Sequence, residues 1–189
     1  MNIANILTVS RFFLTIIFAV LAQVPGAAGA WAALCFFGVA VLTDFLDGYI
    51  ARKYNLITVF GQIMDPIADK FLTLTALFIF AFEGTIALWM VILVACREIG
   101  VTSVRIFALT NGKVMPAESA GKWKAAFQMG AVLLALVYRV CADSIATHDF
   151  IKNHQISLSL MINMVMMGAV ILTVWSGLVF FNSLFRGRK

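Results

Sequence analysis

The sequence predicts an all-α integral membrane protein with six transmembrane helices. Hydrophobic residues make up 62% of its 189 residues and charged residues only 12%, whereas soluble domains are about 45–50% apolar. The apolar residues also cluster into runs of about 20, the length that spans a bilayer. No repeat or change in composition divides the chain, so we expect a single membrane domain over residues 1–189.

The six predicted spans follow one another with short connections. Met1–Thr8 alternates polar and apolar residues, which is typical of a short interfacial helix before the first span. The last apolar run is longer than a bilayer requires, which indicates tilt or extension into water. The spans are expected near residues 7–23, 30–50, 61–82, 85–109, 121–141 and 157–184.

Turn and breaker residues set the limits of these spans. Pro25 and Gly26 follow the first, and Gly84 separates the third from the fourth. The segment NGKVMP, around Gly112, precedes the fifth span, and the polar stretch Asp143–Gln155 precedes the sixth. The short connection between the second and third spans predicts that these two helices are antiparallel neighbours.

The distribution of the net charge of +5 predicts the orientation of the chain. With both termini in the cytoplasm, the opposite side carries mainly Arg139 and Lys152, as the positive-inside rule requires. We therefore expect a multi-pass protein of the cell inner (cytoplasmic) membrane. Because this topology accounts for the basic residues, we expect no nucleic-acid partner. The cytoplasmic side then carries Arg11, Arg52, Lys53, Lys113, Lys122, Lys124, Arg186, Arg188 and Lys189.

Four aspartates lie within the predicted second and third spans. A carboxylate in a hydrocarbon layer costs about 2.5–3.5 kcal/mol on insertion scales, so such a group needs compensation. Helical spacing puts Asp44 and Asp47 on one face of the second helix and Asp65 and Asp69 on one face of the third. Oxygen ligands without nearby histidine or cysteine favour hard cations such as magnesium, manganese or calcium. This cluster predicts a metal site near the cytoplasmic ends of the two helices.

Small residues and an arginine accompany the acids. Gly48, Ala51 and Gly61 leave room for a substrate beside the backbone, and the guanidinium of Arg52 can bind a phosphate. Small residues in membrane helices also serve helix packing. Acids within a membrane also line ion pathways, so a divalent-cation transporter is the alternative from another functional class. A permeating cation would be repelled by Arg52.

The motif formed by these residues resembles the signature of the CDP-alcohol phosphatidyltransferase family. It reads Asp44-x-x-Asp47-Gly48-x-x-Ala51-Arg52, then eight residues, then Gly61-x-x-x-Asp65-x-x-x-Asp69. The resemblance implies a homodimeric membrane enzyme that transfers a phosphatidyl group from CDP-diacylglycerol to an alcohol and releases CMP.

The resemblance also implies a role for each motif residue. Two divalent metal ions, Mg2+ or Mn2+, would be held by all four aspartates, and Asp69 would also be the general base. The cytidine-diphosphate site would be lined by Gly48, Ala51, Arg52, Gly61, Asn5 and Thr8.

Basic residues in the fourth and fifth spans bear on the acceptor alcohol. Arg97, Arg105, Lys122 and Lys124 would form an anion pocket for a phosphorylated acceptor. The segments CREIGVTSVR and AGKWKAAFQMG resemble those of the family's subgroup that uses sn-glycerol 3-phosphate, except that Ala125 stands where a threonine is common. Inositol phosphate and other alcohols remain alternatives. The structural alternative for the arginines is an ion pair with Glu98 or the aspartates.

Overall fold

A computed structural model of the chain describes residues 3–53, 59–110, 120–144 and 148–186. These residues form six α-helices, and no strand occurs among them, so the predicted all-α class and helix number are confirmed. The helices are α1 (Ile3–Leu21), α2 (Ala27–Lys53), α3 (Val59–Phe82), α4 (Leu88–Thr110), α5 (Ala120–Asp143) and α6 (His148–Arg186).

The N-terminal residues differ from the expectation of a separate interfacial helix. From Ile3 onwards they belong to α1, which runs without a break to Leu21. An uninterrupted run of residues without proline or glycine gives the backbone no reason to turn at Thr8. The first turns of α1 therefore extend the same helix that continues into the apolar segment.

Within the described residues, three helices are long and apolar enough to cross a membrane. The qualifying segments are Ala27–Asp44, Trp123–Asp143 and Asn153–Phe180, and a shorter apolar stretch covers Ile6–Leu21. Helices α3 and α4 do not qualify because each has three charged residues in its span: Asp65, Asp69 and Lys70 in α3, and Arg97, Glu98 and Arg105 in α4. The prediction of six helices is thus confirmed, whereas the prediction that all six cross the bilayer stays a prediction.

Helix α3 packs against α1, α4 and α5, and α5 packs against α2, α3 and α6. Within the described residues α2 packs mainly against α1 and α5 and not against α3, so the prediction that α2 and α3 are direct neighbours is wrong. The rings of Phe18 and Phe37 join α1 to α2, with their centroids 5.4 Å apart. A Cβ atom on Gly168 of α6 would lie 2.8 Å from the ring of Phe127 on α5, so glycine is what permits this close approach. The largest apolar core residues are Phe18, Phe37, Leu77, Phe80, Ile86, Leu136, Ile162 and Met166.

The turn between α3 and α4 is fixed from α6. Gly84 adopts a φ of +77°, a left-handed conformation that costs glycine little. The side chain of Asn163 accepts a hydrogen bond from the backbone N–H of Ala87 (3.0 Å) and donates one to the carbonyl of Thr85 (2.9 Å). This clamp sets where α4 begins, and hence where the charged residues of α4 lie.

Candidate functional site

The start of α1 contacts acidic residues on both α2 and α3. The hydroxyl of Thr8 donates a hydrogen bond to Asp65 Oδ1 (2.6 Å), and the guanidinium of Arg11 pairs with Asp44 Oδ1 (2.7 Å). Thr8 and Arg11 are three residues apart and so share one face of the helix. Both are buried, which shows that α1 orients the two acids from within the bundle.

Asp69, the third motif aspartate with a described side chain, pairs with a residue of its own helix. Lys70 Nζ lies 2.7 Å from Asp69 Oδ2, although helical spacing directs the two Cα–Cβ bonds to different faces. The lysine side chain is long enough to reach Asp69 around the helix. Asp44 lies close enough to interact electrostatically with Asp65, Asp69 and Lys70. The motif aspartates with described side chains therefore lie at one end of the bundle, as the sequence predicts.

These aspartates retain free capacity for ligands. The side chains of Asp44 and Asp69 are 46% and 38% exposed, and each carboxylate has lone pairs beyond the one partner seen among the described residues. In the described part of the chain, no three acidic, histidine or cysteine side chains are grouped closely enough to hold one metal ion. Asp47, the fourth predicted ligand, lies outside the described side chains.

The structure describes two of the predicted nucleotide-site residues, Gly61 and Thr8. Gly61 is described, and it is buried in the first turn of α3. The structure places Thr8, which the family resemblance assigns to the nucleotide site, against Asp65. The predicted residues whose side chains are not described are Asn5, Asp47, Gly48, Ala51, Arg52 and Lys122.

A second charged group is centred on Glu98, which is 2% exposed. Lys70 approaches its Oε2 atom at 3.4 Å, and Arg97 approaches its Oε1 atom at 3.3 Å. Lys124 donates to Oε1 as well. We call Lys70, Arg97, Glu98 and Lys124 the Glu98 cluster; its three cations come from α3, α4 and α5, and they outnumber its one carboxylate.

Arg97 is tied to α6 as well as to Glu98. Its Nη2 atom donates a hydrogen bond to Ser176 Oγ (2.8 Å). A Cβ atom on Gly177 would lie 3.5 Å from Arg97 Cγ, so the arginine stem lies directly over this glycine. These contacts fix the guanidinium against the last third of α6.

The four predicted acceptor ligands therefore differ in what the structure shows of them. Arg97 and Lys124 belong to the Glu98 cluster, which also contains the ion pair with Glu98 named as the structural alternative. Arg105 is exposed and makes no ion pair within the described ranges. Lys122 is not described at the side-chain level.

Sequence reasoning missed the connecting residues of the site. Arg11 is the single charged residue of α1, and a lone cation in an apolar helix is itself a signal that an anion lies nearby. Helical phase directs Lys70 and Asp69 to different faces of α3, so their spacing does not predict the contact between them. Ser176 carries no such signal, since a serine in a membrane helix is ordinarily a packing residue.

Comparison with known proteins identifies the family of the chain. The profile of the CDP-alcohol phosphatidyltransferase family matches residues 1–176, which include every aspartate and the Glu98 cluster. The chain belongs to this family.

Three relatives illustrate the match. The Bacillus subtilis CDP-diacylglycerol–glycerol-3-phosphate 3-phosphatidyltransferase is 35% identical over 74% of this chain and 78% of its own length. The Pseudomonas fluorescens protein of the same name is 37% identical over 72% of each chain. A probable phosphatidylglycerophosphate synthase of Mycobacterium tuberculosis is 37% identical over 69% of this chain and 64% of its own length.

Proposed function

We propose that the protein transfers the phosphatidyl group of CDP-diacylglycerol to sn-glycerol 3-phosphate, which gives phosphatidylglycerophosphate and CMP. The names of the Bacillus and Pseudomonas relatives support this reaction, and so does the match to the family. In the exchange, an acceptor hydroxyl oxygen bonds to the phosphatidyl phosphorus while the bond from that phosphorus to CMP breaks. The hydroxyl proton needs a base within hydrogen-bond reach.

The observation that carries the proposal is the position of the Glu98 cluster beside Asp69. Lys70 contacts both Asp69 and Glu98, so its ammonium group connects the carboxylate of Asp69 to the other cations of the Glu98 cluster. A partly buried excess of positive charge is stabilised by an anion. An acceptor with a phosphate at one end and a hydroxyl at the other fits this juxtaposition of cations and a carboxylate.

The donor chemistry of the aspartates fits divalent metal ions. Asp44, Asp65 and Asp69 offer carboxylate oxygens, the ligands that Mg2+ and Mn2+ prefer, and two of these side chains are partly exposed. Together with Asp47 they would hold two such ions. When bound, these ions would supply charge stabilisation to the diphosphate of the lipid substrate.

The remaining roles belong to side chains of the chain itself. Asp69 would accept the proton of the acceptor hydroxyl. Thr8 and Arg11 would hold Asp65 and Asp44 in orientation, since each of these acids has its described protein partner on α1. The nucleotide would be bound by the motif residues Gly48, Ala51, Arg52 and Gly61, with Asn5 and Thr8.

The same proposal includes the placement of the protein in the cell. All six helices would cross the inner membrane, with both termini and the aspartates on the cytoplasmic side, where the basic residues lie. The interface location suits a lipid substrate whose head group is polar. The active form would be a homodimer.

The proposal is tested by following CMP release from CDP-diacylglycerol by the purified protein in the presence of magnesium. Glycerol 3-phosphate, inositol 1-phosphate, serine and no acceptor are supplied in parallel. We expect CMP release only when glycerol 3-phosphate is the acceptor. EDTA should abolish this release, and Mg2+ or Mn2+ should restore it. Release with a different acceptor would refute the assigned acceptor while keeping the transfer chemistry.

The absence of CMP release with every acceptor would contradict the enzyme assignment. Measurement of Mg2+ flux into liposomes without CDP-diacylglycerol would then test the transporter alternative. The match to the CDP-alcohol phosphatidyltransferase family weighs against that alternative, because the relatives are named as transferases.

A further inference from the structure

Lys70 has two carboxylate partners on different helices. Its Nζ atom lies 2.7 Å from Asp69 Oδ2 on its own helix and 3.4 Å from Glu98 Oε2 on α4. Its side chain is 22% exposed, so the ammonium group is largely shielded from water without being sealed off. A ligand that enters beside Asp69 would therefore meet Lys70.

Glu98 does not need Lys70 to balance its charge. Arg97 and Lys124 both contact its Oε1 atom, and two cations already exceed the charge of one carboxylate. Among the described residues, Lys70 is the cation that contacts Glu98 Oε2, and it is the member of the cluster that also touches Asp69. An ammonium group has three donors, and the two contacts seen among the described residues engage two of them.

We propose that Lys70 is a further acceptor-binding residue, which binds the phosphate of the acceptor and fixes the distance from that phosphate to Asp69. This inference rests on the proposed function and deepens it. The ligand class is a short phosphorylated alcohol, whose phosphate contacts Lys70 together with Arg97 and Lys124 while its hydroxyl faces Asp69. Lys70 thereby selects acceptors by the number of atoms between phosphate and hydroxyl.

The test compares Lys70→Gln and Lys70→Arg with the wild-type protein in CMP release. Loss of a hydrogen bond between charged groups should raise the KM for glycerol 3-phosphate roughly ten- to hundredfold in Lys70→Gln. The KM for CDP-diacylglycerol should change less than about twofold, and Lys70→Arg should recover most of the loss, since it restores the positive charge. A purely structural lysine would change both KM values, or neither.

Two controls keep the test decisive. Lys70→Gln combined with Glu98→Gln removes one charge of each sign, so it reports the acceptor KM if the single variant does not fold. Arg139→Gln removes a cation from an ion pair outside the site and should leave both KM values unchanged.

The outcomes separate this inference from the function on which it rests. A wild-type protein that is inactive with glycerol 3-phosphate contradicts the proposed function. An active wild-type protein whose Lys70→Gln variant, single or combined with Glu98→Gln, keeps the wild-type KM for glycerol 3-phosphate contradicts the role of Lys70 alone. Equal increases in both KM values would also contradict it.

Discussion

The two ends of the helix bundle hold charged side chains in different ways. Along α5, Lys124 and Arg139 are 15 residues apart, which is about 22 Å of helix. Lys124 joins a buried group in which three cations surround Glu98. Arg139 makes a single pair with Glu83 (2.5 Å), and the Glu83 side chain is 35% exposed.

This difference favours the end with the Glu98 cluster as the proposed ligand-binding end. At the far end, Arg139 and Glu83 form a pair without net charge. Arg139 Nη2 also donates a hydrogen bond to the backbone carbonyl of Val24 (3.5 Å). Such a pair connects turns and contributes modestly to stability. The excess of buried cations at the other end is costly unless an anion accompanies it. Under the proposed function, an anionic substrate would remove that cost on binding.

The largest predicted effect comes from Asp69→Asn. Loss of a general base lowers rates about 10²–10⁴-fold, so CMP release should fall by that factor. The matched control is Asp143→Asn, the same change at an exposed residue near the far end, which should keep wild-type turnover. Full activity in Asp69→Asn would contradict the base assignment.

The next effect concerns the arginines of the two ends. Arg11 is fully buried and its partner Asp44 is half-exposed, so Arg11→Met should lower the free energy of unfolding by about 1.5–3 kcal/mol. Arg139→Met should cost about 1 kcal/mol or less. Denaturation in detergent, followed by circular dichroism, measures both. Equal losses would show that the ends do not differ in this way.

A smaller effect is expected on α6. Ser176→Ala removes the hydroxyl that accepts the hydrogen bond from Arg97, a loss of about 1 kcal/mol for a typical hydrogen bond. The KM for glycerol 3-phosphate should therefore rise about fivefold. Ser157→Ala, at an exposed position of the same helix, is the control. An unchanged KM in Ser176→Ala would show that Arg97 does not depend on α6 for its position.

The smallest effect is a pH dependence at the far end. Partial burial raises the pKa of Glu83 above its usual value of 4.5, nearby Asp143 adds to the rise, and Arg139 opposes it. The folded protein thus keeps this proton to a higher pH than the unfolded chain does. The contribution of Glu83 to stability is therefore greatest below pH 4.5 and falls as the pH rises through the folded-state pKa.

Glu83→Gln abolishes that contribution. The thermal midpoint of the wild-type protein, relative to that of Glu83→Gln, should decline slightly between about pH 4 and about pH 7. Thermal unfolding of both proteins across this range measures the difference. A relative midpoint that increases with pH would mean that Arg139 dominates the environment of Glu83.

Much of the fold could be predicted from sequence because apolar runs and turn residues report local structure. Helical spacing also predicted the gathering of Asp44, Asp65 and Asp69. The sequence could not show that α1 lies against both acidic helices, since Thr8 and Asp65 are 57 residues apart. Nor could it show that the Lys70 side chain returns to Asp69, because the reach of a long side chain is decided by packing and not by helical phase.

The central claim is that the Glu98 cluster binds the phosphate of the acceptor. The most direct measurement is the KM for glycerol 3-phosphate and for CDP-diacylglycerol in Lys124→Met and in Arg139→Met, with Lys124→Arg as the charge-preserving variant. We predict that Lys124→Met raises the KM for glycerol 3-phosphate at least about tenfold and leaves that for CDP-diacylglycerol unchanged, whereas Arg139→Met changes neither. A Lys124→Met protein with the wild-type KM for glycerol 3-phosphate would contradict the account.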